Sequence, residues 1–294
     1  MDDDDGAHDS RRRFGALAVR VPVIGQGTWE MGHPSRRREE TAVLREGFER
    51  GLTHVDTAEM YGDGAAEELV GEALNAKGSA YPREQLFLVS KVLPHHASRA
   101  GTIAACERSL RRLRTDYLDV YLLHWRGSFP LGETMSALEI LVQTGKIRAL
   151  GVSNFSQADL EEARQALTSE RIACDQVLYH LEQRHIDGGL VSFCAEHEMA
   201  AVGYSPFGHG RFPAASTPKG RVLSEIAARH GATARQVALA FLARRPPLFV
   251  IPKASSIAHV RENAGALSVR LGAGDLDRID QAFAARTEAE LPML

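Results

Sequence analysis

Residues 117–155 decide the fold: YLDVYLLHW at 117–125, ETMSALEILVQ at 133–143 and IRALGVSNF at 147–155 follow one another with short connections. The first and third segments are short apolar runs with β-branched and aromatic residues, which is typical of buried strands. The middle segment repeats apolar residues every three or four positions, as a helix packed on one face does. A strand, a helix and a second strand in this order predict a βαβ unit with parallel strands.

The same unit extends in both directions along the chain. Six further segments have the character of strands, and segments of helical period separate them. They are VIGQGTW (23–29), THVDTA (53–58), LFLVSKV (86–92), CDQVLYH (174–180), AAVGYSPF (200–207) and LFVIPKA (248–254). Eight strands alternating with helices in 294 residues predict an α/β protein, a (β/α)8 TIM barrel, which typically needs about 250 residues. Two more helical segments, near 221–230 and 274–283, exceed the eightfold count and would be additional helices.

An open, doubly wound sheet is the alternative architecture for alternating strands and helices. Its nucleotide-binding members carry Gly-rich signatures, yet Gly25, Gly27 and Gly32 do not form GxGxxG and no GxxxxGK[ST] motif occurs. The sequence therefore favours the barrel.

Composition and charge exclude several classes of function. The chain has 44% hydrophobic and 25% charged residues, and 35 basic against 38 acidic side chains give a formal charge of −3. Such a balance creates no field that attracts nucleic acid or a membrane surface. No run approaches the roughly 18 apolar residues of a membrane span, and three separated cysteines without a CxxC pair indicate reduced thiols. We expect a cytoplasmic protein that acts on a small molecule.

The sequence predicts one domain and a short tail. Residues 13–294 are expected to form a single barrel domain. Residues 1–12 are expected to be a disordered tail with acidic and basic clusters, since charge clusters at a terminus are usually solvated and frayed. The run Arg11 to Arg13, at the boundary between the two, is likewise expected to be solvated and frayed.

Polar side chains recur once per βα unit, near the end of each predicted strand. Asp56, Lys91, His124 and Ser153 follow one another at steps of 35, 33 and 29 residues. The later strands carry Asn154, Gln176, Tyr204, Ser205 and Lys253. In a closed barrel these side chains converge at the C-terminal mouth, where barrel enzymes hold their catalytic residues. Each alone is more often a turn former or a rim residue, but burying an aspartate and a lysine is costly unless they pair.

Four of these positions, with Tyr61 in the loop after Asp56, suit the protonation of a carbonyl oxygen. A phenol has an unperturbed pKa of about 10, and a neighbouring ammonium lowers that pKa. We therefore expect Lys91 to lower the pKa of Tyr61, and Asp56 to keep Lys91 charged. Neutral His124 would donate a hydrogen bond to the substrate oxygen or shape the pKa of the phenol.

Reduction of a carbonyl also needs a hydride, which no side chain supplies, so a nicotinamide or flavin cofactor is required. Ser153, Asn154 and Gln176 carry amide and hydroxyl groups that match a carboxamide. Tyr204 offers a flat face for stacking, and IPKASS at 251–256 offers a lysine and hydroxyls for phosphate.

Seven ordered motifs cover most of the chain. They are HVDTAEMYGDGAAEELVGEAL (54–74), VSKV (89–92), YLDVYLLHW (117–125), GKIRALGVSNF (145–155), DQVLYH (175–180), YSPF (204–207) and IPKASSIAHVRENAGAL (251–267). In this order they resemble the aldo-keto reductase family, from about Leu17 to about Leu267. The resemblance implies a single-domain (β/α)8 barrel and NADPH-dependent reduction of aldehydes or ketones to alcohols.

The resemblance also implies a role for each matching residue. Tyr61 matches the general acid, Asp56 and Lys91 its ion-paired supporters, and His124 the orienting histidine. The implied cofactor residues are Ser153, Asn154 and Gln176 at the carboxamide, Tyr204 on the nicotinamide ring, Ser205 and Phe207 along the pyrophosphate, and Lys253, Ser255, Glu262 and Asn263 at the 2′-phosphate and adenine.

One position departs from the family pattern. His259 stands where many members have an arginine for the 2′-phosphate, and a histidine lacks the planar fork that grips phosphate. NADH is therefore open as a second cofactor beside NADPH, with Arg261 as a neighbouring cation that could contribute.

The resemblance places Trp29, Met60 and Trp125 at the substrate pocket. The short loop after the fourth strand, RGSFPLG at 126–132, and the short tail beyond Leu271 predict a shallow, open pocket. Such a pocket suits small carbonyls such as 2-oxoaldehydes, of which methylglyoxal is an example. We expect a monomer or a weak homo-oligomer.

Three other functions compete with this interpretation. The first is a nucleotide-binding regulatory subunit of the same fold without turnover. The second makes Lys91 the Schiff-base nucleophile of a barrel aldolase. The third, a metal site, lacks support because no HExxH pattern occurs among the twelve histidines.

Overall fold

The structure of the protein, a computed structural model, describes residues 10–76, 81–284 and 291–293. Within these ranges, an antiparallel hairpin of β1 (Arg11–Arg13) and β2 (Arg20–Pro22) precedes a sheet of eight parallel strands arranged in chain order. These strands are β3 (Gln26–Gly27), β4 (His54–Asp56), β5 (Phe87–Val92), β6 (Leu118–Leu123), β7 (Ile147–Ser153), β8 (Ile172–Leu178), β9 (Ala200–Tyr204) and β10 (Leu248–Ile251). Bridges from Ile24 to Val250 and from Gly27 to Lys253 join the first strand to the last. The predicted TIM barrel is confirmed.

Helices cover the outside of the barrel. In the described part of the chain they are α1 (Arg37–Glu49), α2 (Ala65–Leu74), α3 (Arg99–Leu113), α4 (Leu131–Gln143), α5 (Gln157–Gln165), α6 (Leu190–Glu196), α7 (Pro218–Arg229), α8 (Ala234–Leu242), α9 (Ile257–Gly265) and α10 (Ala273–Ala282). The additional helices predicted near 221–230 and 274–283 are α7 and α10. They pair with each other, since His230 Nε2 lies 2.7 Å from Asp275 Oδ2 and Arg278 bonds Glu225.

The strands end earlier than the sequence segments suggested. IRALGVSNF is a strand only to Ser153, and AAVGYSPF only to Tyr204. The next residues, Asn154 and Ser205, have φ angles of 59° and 51°, in the left-handed region that interrupts an extended backbone. These turns hold the polar side chains at the mouth of the barrel instead of extending the sheet.

The arginine run at the start of the described chain is part of the fold. In β1, Arg11 and Arg13 are exposed while Arg12 is 9% exposed, and Arg12 Nη1 donates to Leu248 O at 3.1 Å. Burial lowers the pKa of Arg12 to about 10. The expectation of a frayed run is therefore wrong, because these residues form a paired strand. The expectation of a solvated run is wrong for Arg12 alone, since the alternation of the strand places its guanidinium on a barrel carbonyl. Residues 1–9 of the expected tail lie outside the described residues.

The hairpin closes the N-terminal end of the barrel. Phe14 is fully buried, with its ring centroid 4.6 Å from that of Phe87, 5.0 Å from Phe249 and 5.7 Å from His54. Burial lowers the pKa of His54 to about 3, so this imidazole is neutral. Burying one such phenyl ring stabilises the fold by about 1.5–3 kcal/mol. Aromatic side chains fill this end, which leaves the C-terminal mouth for chemistry.

The three cysteines, Cys106, Cys174 and Cys194, are buried and unpaired. Burial raises the pKa of Cys106 to about 12, which keeps that thiol protonated and unreactive. None of the helices within the described ranges is long and apolar enough to cross a membrane.

Candidate active site

Lys91, near the C-terminal end of β5, is the centre of the site and is fully buried. Its ammonium donates to Asp56 Oδ2 at 2.7 Å, to Thr57 O at 2.9 Å and to Tyr61 Oη at 3.1 Å. An ammonium has three protons and no lone pair, so Tyr61 Oη can only accept from it. The phenolic proton of Tyr61 is consequently not directed at Lys91.

Lys91 stays charged in this environment. Burial lowers its pKa, but the carboxylate of Asp56 and the phenol of Tyr61 together raise it above the ordinary value. A Schiff-base nucleophile needs a neutral amine with a free lone pair. The three hydrogen bonds and the raised pKa therefore argue against the aldolase alternative.

The net pKa of Tyr61 differs from expectation. Burial raises it, the charge of Lys91 lowers it and the charge of Asp56 raises it again, so that the pKa lies above its ordinary value. The expectation that the pKa of Tyr61 is lowered overall is wrong, because desolvation of the nearly enclosed phenol outweighs the attraction of the ammonium. Lys91 still acts in the expected direction. The phenol is therefore fully protonated at neutral pH, as a proton donor must be.

The loop between β4 and α2 places the phenol of Tyr61 beside Lys91. Three residues in succession after Tyr61, namely Gly62, Asp63 and Gly64, have φ angles of 60°, 54° and 90°. The φ angle of Gly64 is one that side chains rarely adopt, so this position favours glycine for its conformation. The motif MYGDG thus encodes a tight turn that holds the tyrosine ring inwards.

His124, just past β6, lies on the other side of the phenol. Its ring centroid is 5.8 Å from that of Tyr61, and burial together with the charge of Lys91 lowers the pKa of His124 to about 2. The neutral imidazole carries one proton. Nδ1 is buried without a partner in the described structure, and a bare acceptor there is less costly than an unsatisfied donor. The geometry therefore favours a proton on Nε2, which can donate to a substrate oxygen.

The side chains expected near the nicotinamide form one hydrogen-bonded group, called here the amide set, which consists of Ser153, Asn154, Gln176 and Tyr204. Ser153 Oγ donates to Gln176 O at 2.7 Å, and Asn154 Nδ2 donates to Ser153 Oγ at 3.1 Å and to His124 O at 3.2 Å. Tyr204 Oη donates to Asn154 Oδ1 at 2.9 Å. The four neighbouring strand ends are thereby connected through side chains.

This set is joined directly to the lysine centre. Gln176 Nε2 donates to Asp56 Oδ1 at 2.7 Å, so both oxygens of the buried carboxylate are engaged. Because a carboxylate only accepts, the amide nitrogen must face Asp56, and the amide oxygen of Gln176 must face away. That oxygen makes no hydrogen bond within the described residues and remains an acceptor for an amide N–H.

Residues expected along the dinucleotide lie at the ends of β9 and β10 and on α9. Phe207 packs against Phe212 and lies 4.9 Å from the guanidinium of Arg235. Ser255 Oγ lies 3.1 Å from Nδ1 of the exposed His259. Lys253 is partly buried and makes no ion pair among the described residues.

Two residues on α9 are engaged elsewhere. Arg261 Nε donates to Glu46 Oε1 on α1 at 2.8 Å. The structure therefore does not place Arg261 beside His259 as a second cation for the 2′-phosphate. Positions 259 and 261 point to different sides of the helix. Glu262 Oε1 accepts from Thr233 Oγ1 at 2.7 Å, and Asn263 is buried.

Aromatic side chains surround the phenol of Tyr61. Trp29 is 42% exposed and meets the ring of Tyr61 edge-on at 5.0 Å, while Trp125 packs on His124 at 4.8 Å. Met60 packs against the small cluster formed by Ala58, Tyr61 and Ala66. The structure thus brings all three expected pocket residues to the mouth of the barrel.

Sequence reasoning missed three supports of the site. Thr57 O accepts from Lys91, Thr28 donates from both its N–H and its hydroxyl to Asp56 O, and Glu59 bonds residues beyond β5. Backbone acceptors carry no sequence signal. Glu59 did carry one, as an acidic residue within the motif DTAEMY, but its partners lie 34 to 49 positions away.

A closed barrel with a buried Asp–Lys–Tyr centre, a neutral histidine and an amide set at adjacent strand ends defines an oxidoreductase of carbonyl groups. The chain belongs to the aldo-keto reductase family. The model described as "Aldo/keto reductase family" matches residues 23–284.

Individual relatives agree with this family. The chain is 47% identical over 268 residues to methylglyoxal reductase YeaE of Escherichia coli (strain K12), covering 91% of this chain and 93% of that protein. It is 33% identical to glyoxal reductase of Bacillus subtilis (strain 168), covering 89% of each. A crystal structure of an aldo/keto reductase from Klebsiella pneumoniae in complex with NADP and acetate superposes with a TM-score of 0.89, at 43% identity and with 97% and 100% coverage.

Proposed function

We propose that the protein reduces aldehydes and ketones to alcohols with NADPH, and that its substrates are small carbonyls, including 2-oxoaldehydes such as methylglyoxal. The observation that supports this most strongly is the position of Lys91 Nζ, within hydrogen-bond distance of both Asp56 and Tyr61. This arrangement matches a reaction in which a phenol gives up its proton and the resulting negative charge needs a fixed cation.

Tyr61 is the proton donor in this proposal. A reduced nicotinamide, when bound, supplies the hydride to the carbonyl carbon. The phenolic proton of Tyr61 goes to the carbonyl oxygen, and the phenolate left behind is stabilised by Lys91, which is balanced by Asp56. Nε2–H of His124 holds the carbonyl oxygen within reach of the phenol. Solvent then restores the proton to Tyr61.

The residues present fit a nicotinamide. Its carboxamide has two N–H donors and one oxygen, and the free amide oxygen of Gln176 is an acceptor whose direction is set by Asp56. Ser153 and Asn154 each retain a lone pair after their mutual hydrogen bond. Tyr204 would stack on the ring, with Ser205 and Phe207 beside the pyrophosphate.

The other end of the dinucleotide would lie on α9. Lys253, Ser255 and His259 are the groups proposed for the 2′-phosphate, with Glu262 and Asn263 near the adenine. Lys253 favours a phosphorylated cofactor by charge, whereas His259 lacks a bidentate fork. NADPH is therefore the proposed cofactor, and NADH is expected to work less well rather than not at all.

His259→Arg should sharpen this cofactor preference. A guanidinium can grip phosphate with two hydrogen bonds, and a charged hydrogen bond contributes about 1.5–3 kcal/mol, so the ratio of kcat/KM for NADPH over NADH should rise about tenfold or more. Steady-state kinetics with both cofactors measures the ratio. The value with NADH is the internal control and should stay unchanged. An unchanged ratio would show that His259 does not face the 2′-phosphate.

The pocket supports the proposed substrate class. Trp29 leaves nearly half of its surface exposed at the mouth, and Met60 and Trp125 complete an aromatic and apolar wall around the proton donor. Such a wall selects by fit and contact and offers no charged group to a substrate. Two relatives are named for methylglyoxal and glyoxal, which are small dicarbonyls.

A panel of carbonyl compounds tests this function. NADPH absorbance is followed with methylglyoxal, glyoxal, simple aldehydes and bulky ketones, and NADH is used in parallel. We expect the highest kcat/KM with the 2-oxoaldehydes. Rapid turnover of bulky ketones without turnover of 2-oxoaldehydes would overturn the substrate class. Nucleotide binding without turnover of any compound would favour the regulatory alternative.

The proposal includes a cytoplasmic location and a monomer or weak homo-oligomer, with no nucleic acid or membrane as partner. The buried, unpaired cysteines are consistent with a reducing compartment.

A further inference from the structure

Glu59 lies in the loop that carries Tyr61, two positions before it, and its side chain is 3% exposed. Its Oε1 accepts from the backbone N–H of Leu93 at 2.8 Å and lies 2.9 Å from Nδ1 of His96. Its Oε2 accepts from Arg108 Nη2 at 3.2 Å. One buried carboxylate thus joins the tyrosine loop to the end of β5, to the turn after it and to α3.

The contacts of the Glu59 carboxylate determine the hydrogen-bond role of Nδ1 of His96. A carboxylate accepts and never donates, so Nδ1 of His96 must carry a proton toward Glu59. The 3.3 Å contact between Arg108 Nη2 and the same Nδ1 is then not a hydrogen bond, because both atoms are donors. Arg108 Nη2 donates to Glu59 instead. Arg108 and His96 are partly exposed, which places the balancing charge at the surface and the carboxylate inside.

The tyrosine loop depends on such an anchor. After Tyr61 the backbone runs through three left-handed residues, so no regular helical or sheet bonds hold this part of the loop. Before Tyr61, the backbone N–H of Glu59 makes a long 3.4 Å contact with Lys91 O. The start of the loop is held to β5 at Thr57, whose N–H bonds Val89 O and whose carbonyl accepts from Lys91, both at 2.9 Å. Nearer to Tyr61, the side chain of Glu59 continues this attachment with its 2.8 Å bond from the backbone N–H just after β5.

We infer that Glu59 is a positioning residue for the proton donor: it sets the distance between Tyr61 Oη and Lys91 Nζ, with Arg108 and His96 as its partners. The inference rests on the proposed function, because it assumes that Tyr61 is the donor. Misplacement of a reacting group by about 1 Å can lower a rate by about a hundredfold, and loss of one bond of an anchor should cost less.

The test compares Glu59→Gln in two backgrounds, the otherwise native chain and Tyr61→Phe. Glutamine keeps the shape of the side chain but turns an N–H₂ toward donors. In the native background kcat should fall about tenfold, and dissociation constants for NADPH should not change. In the Tyr61→Phe background, single-turnover rates should show no further fall, because the group that Glu59 positions is absent. A merely structural role would lower both rates by the same factor.

Glu139→Gln is the matched control. Glu139 is also a buried carboxylate that accepts several hydrogen bonds, among them the backbone N–H groups of Thr168, Ser169 and Glu170. It lies on α4, away from the site, so its variant should lose thermal stability and keep kcat. If Glu59→Gln does not fold, Arg108→Gln is tested instead, again in the native and in the Tyr61→Phe backgrounds.

Three outcomes would count against the inference. Unchanged kcat in folded Glu59→Gln, or the same fall in both backgrounds, overturns the inference alone. Native turnover by Tyr61→Phe itself overturns the proposed function, and the inference with it.

Discussion

Tyr61→Phe should lower kcat for carbonyl reduction by at least about a hundredfold, the usual scale on which a lost general acid reduces turnover. Phenylalanine keeps the ring that packs between Trp29 and His124, at 5.0 and 5.8 Å, but it has no proton to give. The hydroxyl bonds Lys91 and none of the groups proposed to hold the nucleotide. Affinity for NADPH should therefore be nearly unchanged.

Stopped-flow turnover and fluorescence titration with NADPH measure the two quantities separately. Tyr117→Phe provides the control, because it also removes a phenolic hydroxyl, but at a position just before β6. There the ring packs 4.0 Å from the guanidinium of Arg83. That variant should keep native kcat. A Tyr61→Phe enzyme with native kcat would show that the proton reaches the substrate from another group.

The strand ends were the most informative feature of the sequence. Asp56, Lys91 and His124 recur at intervals of one βα unit, and a barrel converts such intervals into proximity at one mouth. The intervals predict that these residues meet but contain nothing about orientation. Gln176 turns its amide nitrogen to Asp56 and so connects the amide set to Lys91. This orientation depends on side-chain packing, which the intervals do not encode.

The N-terminal hairpin shows a different limit. Three successive arginines suggest a solvated segment when charge alone is considered, and the segment is too short for periodicity to contradict that. Arg12 is buried because a carbonyl of β10, more than two hundred positions away, accepts from it. Phe14 is likewise buried by residues far away in the sequence, on β4, β5 and β10. Neither contact is encoded locally.

The pKa of Tyr61 could be predicted only in part. The sequence indicates which charges lie near the phenol, and Lys91 does lower its pKa. The degree of burial depends on the complete loop and on Trp29, and burial is the larger effect. In the proposed mechanism the resting phenol is therefore fully protonated, and Lys91 would act mainly on the phenolate formed as the proton leaves.

Because Lys91 is proposed to stabilise the phenolate of Tyr61, we expect Lys91→Met to have the second large effect on turnover. Methionine fills a similar volume but leaves the carboxylate of Asp56 buried with Gln176 as its side-chain donor. Removing one partner of a buried ion pair lowers the free energy of unfolding by about 3–5 kcal/mol. It should also lower kcat by at least about a hundredfold, because the phenolate loses the cation that stabilises it.

The double variant Asp56→Asn with Lys91→Met separates the two effects. Asparagine has the shape of aspartate without its charge, so the double variant should regain much of the stability that Lys91→Met loses. Its kcat should remain as low as that of Lys91→Met, since the cation beside Tyr61 is still missing. Chemical denaturation and single-turnover kinetics on the same preparations give both values.

The pattern of these results distinguishes an electrostatic role from a structural one. If Lys91 served only to hold the fold, stability and turnover would recover together in the double variant. Recovery of stability without recovery of turnover would assign the ammonium to the reaction, in contact with the phenol at 3.1 Å. Equal kcat for Lys91→Met and the native chain would mean that the phenolate forms without help from this cation, and the proposed proton transfer would have to be abandoned.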